Sequence, residues 1–197
     1  SQASPADYMQ VYQEIMNDYP GSPIISFHIS SGLSGTYQSA TIAKSMLEGD
    51  PDITIVDSKS ASYGFGLLVV HAARLAAEGK TAEEIVRSVE EVRRQRKLYF
   101  LVDTLEYLQK GGRIGKAAAM IGNLLNIKPI LSIDEEGIIY AVEKVRGRKK
   151  ALARILERFR EDLGGVQNIN VAVGHTADPA SAEPVPEDLA QDFRLQE

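Results

Sequence analysis

Three serine hydroxyls, Ser30, Ser31 and Ser34, stand close together in the sequence, with Thr36 just beyond them and Gly32 and Gly35 between. Hydroxyls at that spacing can converge on a small anion. The apolar run Pro23–Phe27 ahead of them reads as a buried strand, and Thr36–Leu47 repeats apolar and small residues at helical intervals. A serine-rich turn therefore joins a strand to a helix. The first turn of a helix has unpaired backbone N–H groups and a partial positive charge, and glycines let a ligand approach the backbone. Serines before a helix also serve as N-caps, which is their commoner use. Four hydroxyls exceed what one cap requires, so Ser30, Ser31, Ser34, Gly35 and Thr36 form a candidate anion site. Arg113 is the second chemical signal, since it lies between Gly111-Gly112 and Gly115, where a turn can project its guanidinium. Such a fork matches a carboxylate or a phosphate with two parallel hydrogen bonds. The plainer alternative is a surface arginine or a helix-end cap.

Other catalytic patterns fail on inspection. A phosphate loop needs a glycine five residues before a Gly-Lys-Ser or Gly-Lys-Thr, but Lys110 stands at the upstream place and Ala117 follows Gly115-Lys116. Gly64-Phe65-Gly66 lacks the third glycine of a dinucleotide fingerprint. Gly32-Leu33-Ser34-Gly35-Thr36 misses the Gly-x-Ser-x-Gly nucleophile elbow at its last position. A triad of Ser34 with His28 or His175 and Asp57 or Asp103 is the one hydrolytic arrangement left open, so a serine-dependent hydrolase or acyltransferase using Ser34 is the rival reading.

The elements that must position these residues follow from periodicity. A helix is predicted over Ala6–Tyr19, then strand Ile24–Phe27, helix Thr36–Leu47 and strand Ile53–Asp57, a strand–helix–strand unit of parallel type. A helix from Tyr63 to Ala77, capped by Ser60 or Ser62, and a second helix opened by the capping box Thr81/Glu84 and ending at Gln95 come next. The second half reads as strand Leu98–Val102, the short helix Leu105–Lys110, a helix from Ala117 to Leu125, and strands either side of the turn Asp134-Glu135-Glu136-Gly137. Helix Ala151–Leu163, strand Ile169–Val173 and a weaker helix Ala180–Gln191, interrupted by Pro184 and Pro186, close the chain. The divide falls near Gln95. It gives two α/β domains, 1–95 with a mainly parallel sheet and 96–197 with a mixed or antiparallel sheet and flanking helices.

Composition bounds the function. The 197 residues are 44% hydrophobic and 25% charged, with a formal net charge of −5. That acidity argues against a general nucleic-acid binder. No Cys and three His leave no thiolate chemistry and little for a metal. No apolar run is long enough to span a bilayer and no secretory leader is seen, so the cytoplasm is the expected location. Positive charge concentrates only at Lys144, Arg146, Arg148, Lys149 and Lys150. There it faces the start of a helix and opposes the helix dipole, which suggests a docking surface as readily as a solvated face.

Three long stretches carry a resemblance: HISSGLSGTYQSA (His28–Ala40), IVDSKSASYGFG (Ile55–Gly66) and FLVDTLEYLQKGGRIGKAAAMIGNLLNIKPIL (Phe100–Leu131), continued by EKVRGRKKAL (Glu143–Leu152). In this order they resemble the DegV family, bacterial fatty-acid-binding proteins that act as the acyl-carrying subunit of fatty acid kinase. The resemblance implies a long-chain fatty acid held between two α/β domains, its carboxylate presented to a separate ATP-dependent kinase for acyl-phosphate formation. It implies no catalytic residue, cofactor or metal in the chain itself. Ser34 of the LSGT motif and Arg113 of the GGRI motif are the carboxylate-side residues by resemblance. Ile114, Ile121, Leu124, Leu125 and Ile130 are candidates for the acyl tunnel, and Arg146, Arg148 and Lys149 for kinase docking. The opening SQASP resembles the end of the family's TSQPSP motif, and no histidine-containing, glycine-rich closing segment is present. The family's first strand, its carboxylate-binding threonine and its end are thus expected to lie outside the chain.

Overall fold

The computed structural model of this chain describes residues 2–120, 127–176, 179–182, 184–190 and 193–195. Its residues group into two compact units, Ser1–Arg96 with Ile133–Ile138, and Lys97–Ser132 with Ile139–Glu197.

The first unit is built on two parallel strands. Helix α1 (Pro5–Asp18) opens with a capping box in which Ser4 and Asp7 satisfy each other's backbone N–H groups, and Pro5 costs nothing in the first turn. Strand β1 (Ile24–His28) pairs in parallel with β2 (Ile53–Asp57), in register from Ile24↔Ile53 to His28↔Asp57. Helix α2 (Thr36–Met46) makes the crossover between them, as a parallel pair requires. Helices α3 (Ser62–Ala77) and α4 (Ala82–Gln95) follow. The predicted Thr81/Glu84 box forms, with Thr81 N–H donating to Glu84 Oε2 at 2.8 Å and Glu84 N–H to Thr81 Oγ1 at 3.3 Å.

Alternation along β1 sorts its side chains to two faces. Ile24 packs with Tyr12, Ala40, Ala43, Leu47 and Ile53, on the side of α1 and α2. Ile25 and Phe27 pack with Leu68, Ala72, Ile85 and Val89, on the side of α3 and α4. The unit is thus a three-layer α/β/α arrangement. Ser26 and His28, in phase with Ile24, must then face α1, and the structure gives them polar partners there.

The second unit holds α5 (Glu106–Lys110), a 3-10 helix (Gly115–Met120), the antiparallel pair of β3 (Ile127–Ile133, whose last residue groups with the first unit) and β4 (Ile139–Arg146), and α6 (Arg148–Asp162). Short strands β5 (Asn168–Ile169) and β6 (Arg194–Leu195) pair in parallel, with α7 (Pro179–Ala182) and α8 (Pro184–Ala190) between them in sequence. Its core gathers Ile130, Ala151 and Ile155, with Tyr99, Leu101, Val142, Val145 and Phe159 packed around them.

Several local expectations fail for identifiable reasons. Leu98–Val102 is not a strand, because only Phe100 meets β3, bonding Leu131 in both directions at 2.9 Å. The run is apolar because Tyr99 and Leu101 pack into the core. Ile169–Val173 forms a strand only at its first residue. The N-cap of α3 is Ala61, with no side-chain cap, since Ser60 Oγ turns to the Ala61 carbonyl instead. Helix α6 starts three residues before Ala151, drawing Arg148, Lys149 and Lys150 into its first turn.

Candidate functional site

The serine turn leaves the carboxyl end of β1, where ligands of open α/β sheets are held. Ser30 is fully buried and is the turn's anchor. Its N–H donates to the Ser60 carbonyl at 2.7 Å, its carbonyl accepts from Leu33 and Ser34 N–H, and its hydroxyl donates to the Gly137 carbonyl at 2.7 Å while accepting from Gly32 N–H at 3.1 Å. The hydroxyl proton of Ser30 is therefore committed inside the protein. Gly137 and Gly32 are both required by this closeness. A Cβ on Gly32 would lie 2.9 Å from the Gly137 carbonyl oxygen, and one on Gly137 would lie 3.0 Å from Ser30 Cβ.

The loop after β2 braces the same turn. Asp57 accepts from Ser31 N–H at 3.2 Å and from Lys59 N–H at 3.0 Å, and its other oxygen pairs with Lys59 Nζ at 2.8 Å. Burial pushes the Asp57 carboxyl up, but the hydrogen bonds from Lys59 and Ser31 outweigh it and hold the group below the usual carboxylate range. Lys59 adopts a left-handed backbone (φ 49°), and its carbonyl accepts from Arg96 Nη2 at 3.4 Å. Sequence reasoning passed over this Asp57–Lys59 clasp, although both residues stand within the Ile55–Gly66 motif.

Beyond Ser30 the hydroxyls differ in what they leave free. Ser34 Oγ accepts from Thr36 N–H at 3.3 Å, a contact that supports the first turn of α2 and uses a lone pair rather than the proton. Ser31 is exposed, with Lys59 Nζ 3.5 Å from its oxygen. Thr36 Oγ1 is buried without a hydrogen-bond partner of ordinary geometry. Gly35, the N-cap of α2, gives its N–H to Gln2 Oε1 at 3.0 Å.

Beneath the turn lies a buried polar chain. Tyr12 hydroxyl donates to Ser26 Oγ at 2.7 Å, Ser26 Oγ is 2.9 Å from His28 Nε2, and His28 Nδ1 is 3.5 Å from the Tyr8 hydroxyl. Burial holds the His28 imidazole below its usual range, the nearby Asp57 charge opposing this only in part. Both ring nitrogens are thus turned to Ser26 and Tyr8, and Asp57 is occupied by Lys59 and Ser31. The Ser34–His28–Asp57 relay that a hydrolase of this unit would need is not formed.

In the second unit Arg113 is exposed at the turn Gly111-Gly112. Its N–H donates to the Leu108 carbonyl at 2.8 Å, and its Nη1 folds back onto the Gly111 carbonyl. Ile114 is half-buried, whereas Ile130 is fully buried in the core. Ile121, Leu124 and Leu125 lie outside the described residues. In the basic run, Arg146 and Lys149 are exposed, and Arg148 Nη1 pairs with Asp103 Oδ1 at 3.0 Å. A groove of about 750 Å³ is lined by Pro23, Asp52, Thr54, Thr81, Glu83 and Arg87 among others, at the amino ends of β1 and β2, opposite the serine turn. Among the described residues no group of three or more His, Asp or Glu side chains could hold a metal ion, and no helix is long and apolar enough to cross a membrane.

Comparison with known proteins gives this geometry a context. The model of the DegV family, described as an uncharacterised protein family, matches residues 1–197. Protein DegV of Bacillus subtilis is 37% identical over 194 residues, covering 98% of this chain and 68% of the relative. A DegV domain-containing protein of Caldanaerobacter subterraneus is 40% identical over 160 residues, 81% of this chain and 56% of the relative. Among solved structures, a DegV family protein from Thermus thermophilus, described for its fatty acid binding, superimposes with a TM-score of 0.87 at 38% identity, over 100% of this chain and 69% of that one. DegV of Bacillus subtilis, described as a fatty acid binding protein, gives 0.84 at 35% identity, over 100% of this chain and 70% of that one. The chain thus spans 56–70% of the length of these relatives in the four comparisons.

Proposed function

Because the chain belongs to the DegV family, we propose that it contributes the carboxylate-binding turn of a protein that carries a long-chain fatty acid and presents it to a separate kinase. The observation that carries this reading is the serine turn itself. Ser30, Asp57 and Lys59 fix its backbone, while Ser34 accepts from Thr36 N–H and so keeps its own proton to give. A hydroxyl donor beside the positive end of a helix is suited to a carboxylate. The solved relatives that share this fold at 35–38% identity are described as binding fatty acids. In this reading residues 1–95 and 96–197 are the two domains, Ser34 and Arg113 hold the carboxylate with help from Ser31 and Thr36, Gly35 gives the turn room while its own N–H stays with Gln2, and Ile114 belongs to the acyl path. Ser30 acts from behind, as the anchor of the turn. The chain is then a substrate carrier acting in the cytoplasm rather than an enzyme. Native mass spectrometry of the purified protein, followed by organic extraction, should recover one fatty acid per chain. Protein that is free of lipid and stays free after incubation with palmitate would remove the reading.

The kinase partner is the finer part of the proposal. Arg146 and Lys149 are exposed cations on an otherwise acidic chain, and charges of this kind act mainly on association rate. Arg148 is held by Asp103, so the cleaner test reverses only Arg146 and Lys149 to Glu. Phosphorylation of the bound acid by a fatty acid kinase is expected to slow at low salt and converge on the wild-type rate at high salt, with acyl affinity unchanged. An unaltered rate at low salt would leave these residues as a solvated face.

A further inference from the structure

The cap of α2 comes from far away in the sequence. Gly35 has no side chain to close the helix, and no side-chain cap is made by the cap residue itself. In its place the Gln2 amide lies across it, with Oε1 accepting from Gly35 N–H at 3.0 Å and Nε2 donating to Ser39 Oγ at 3.4 Å. Ser39 is buried one turn further along α2. The fit is close: a Cβ on Gly35 would lie 2.5 Å from Gln2 Oε1 and 2.8 Å from Gln2 Cδ. Two residues on from Gln2, Ser4 caps α1. One short segment therefore fastens the starts of both α1 and α2.

From this geometry we infer that Gln2 is a positioning residue for the carboxylate end of the ligand, an assignment that rests on the proposed fatty acid site at Ser34. Its amide pins the serine turn to α1, and because it is neutral it satisfies Gly35 N–H without cancelling the positive end of α2. A carboxylate at the same place would do the first and undo the second, since anions at a helix start neutralise its partial charge. The amide is not a plug in the ligand's place. Both of its ends are bonded, and Gly35 has no side chain where the amide packs.

The test compares palmitate with hexadecanol, the same chain without the charge, on the wild-type protein, Gln2→Glu and Gln2→Ala. Gln2→Glu is expected to weaken palmitate binding by roughly three- to tenfold, the size of a helix-end charge effect, and to leave hexadecanol within about twofold of wild type. Gln2→Ala should weaken palmitate more mildly. Because the ratio of the two ligands is taken within each variant, a general loss of fold cancels from it. Two outcomes overturn the assignment: an unchanged palmitate-to-hexadecanol ratio in Gln2→Glu, or tighter palmitate binding in Gln2→Ala, which would make the amide a plug. Failure of the wild-type protein to bind either ligand overturns the fatty acid reading, and this assignment with it.

Discussion

Gly137→Ala is expected to lower the thermal midpoint by roughly 4–24 °C, and to abolish ligand binding at temperatures where the wild-type protein is intact but the variant has unfolded. Two effects add. Gly137 has φ of +82°, where a side chain is strained by about 1–3 kcal/mol. The new Cβ would also fall on Ser30, well inside contact with Oγ and 3.0 Å from Cβ, with Lys59 Cδ at 3.1 Å on another side. Ser30 is fully buried and bonded on three sides, so it cannot move aside without breaking the turn. The displaced hydrogen bonds cost about 1–3 kcal/mol more, the penalty of leaving buried polar groups unpaired. Gly79→Ala is the built-in comparison, since Gly79 has φ of +80° but nothing within 4 Å of its added Cβ. Its midpoint should fall by only a few degrees. Equal shifts in the two variants would show that the Ser30–Gly137 contact contributes nothing beyond backbone strain.

That contact also marks the limit of what the sequence can say. The capping box of Thr81 and Glu84, the hairpin turn before Gly137 and the strand–helix–strand unit from Ile24 to Asp57 are all legible, because each depends on neighbours within a few residues. The serines were legible as a cluster, but not their division of labour. Ser30 and Ser34 look alike in the sequence, and a partner 107 residues away is what distinguishes the buried anchor from the serine that only accepts a local N–H. The Gln2 amide that caps α2 from 33 positions upstream was invisible for the same reason. Leu98–Val102 misled in the opposite direction. Its apolar run is real, but Tyr99 and Leu101 pack into the core without a continuous strand partner, and an apolar run alone cannot separate those cases.

Ser34→Ala is expected to weaken fatty acid binding by about tenfold, with little change in fold. A hydrogen bond to a charged group contributes typically about 1.5–3 kcal/mol, and tenfold is about 1.4 kcal/mol, so the figure sits at the low end. Among the described residues the Ser34 hydroxyl makes one hydrogen bond, from Thr36 N–H at 3.3 Å, and Ser34 is half-buried, so water can replace it. Arg113→Ala should show a similar loss if its guanidinium leaves the Gly111 carbonyl for the ligand. In the proposed complex the acyl chain would supply most of the binding energy, at about 0.8 kcal/mol for each buried methylene. Neither variant should therefore abolish binding, and both should lose preference for the charged head. Wild-type affinity in Ser34→Ala would place the carboxylate elsewhere.

Whether a carboxylate is held at the serine turn is read most directly from the affinity of the wild-type protein for palmitate against hexadecanol, repeated in Ser34→Ala. Wild-type protein should prefer the acid by tenfold or more, and Ser34→Ala should remove most of that preference while hexadecanol binds as before. Equal affinities for acid and alcohol in the wild-type protein, or a preference that survives the loss of Ser34 undiminished, would contradict that placement.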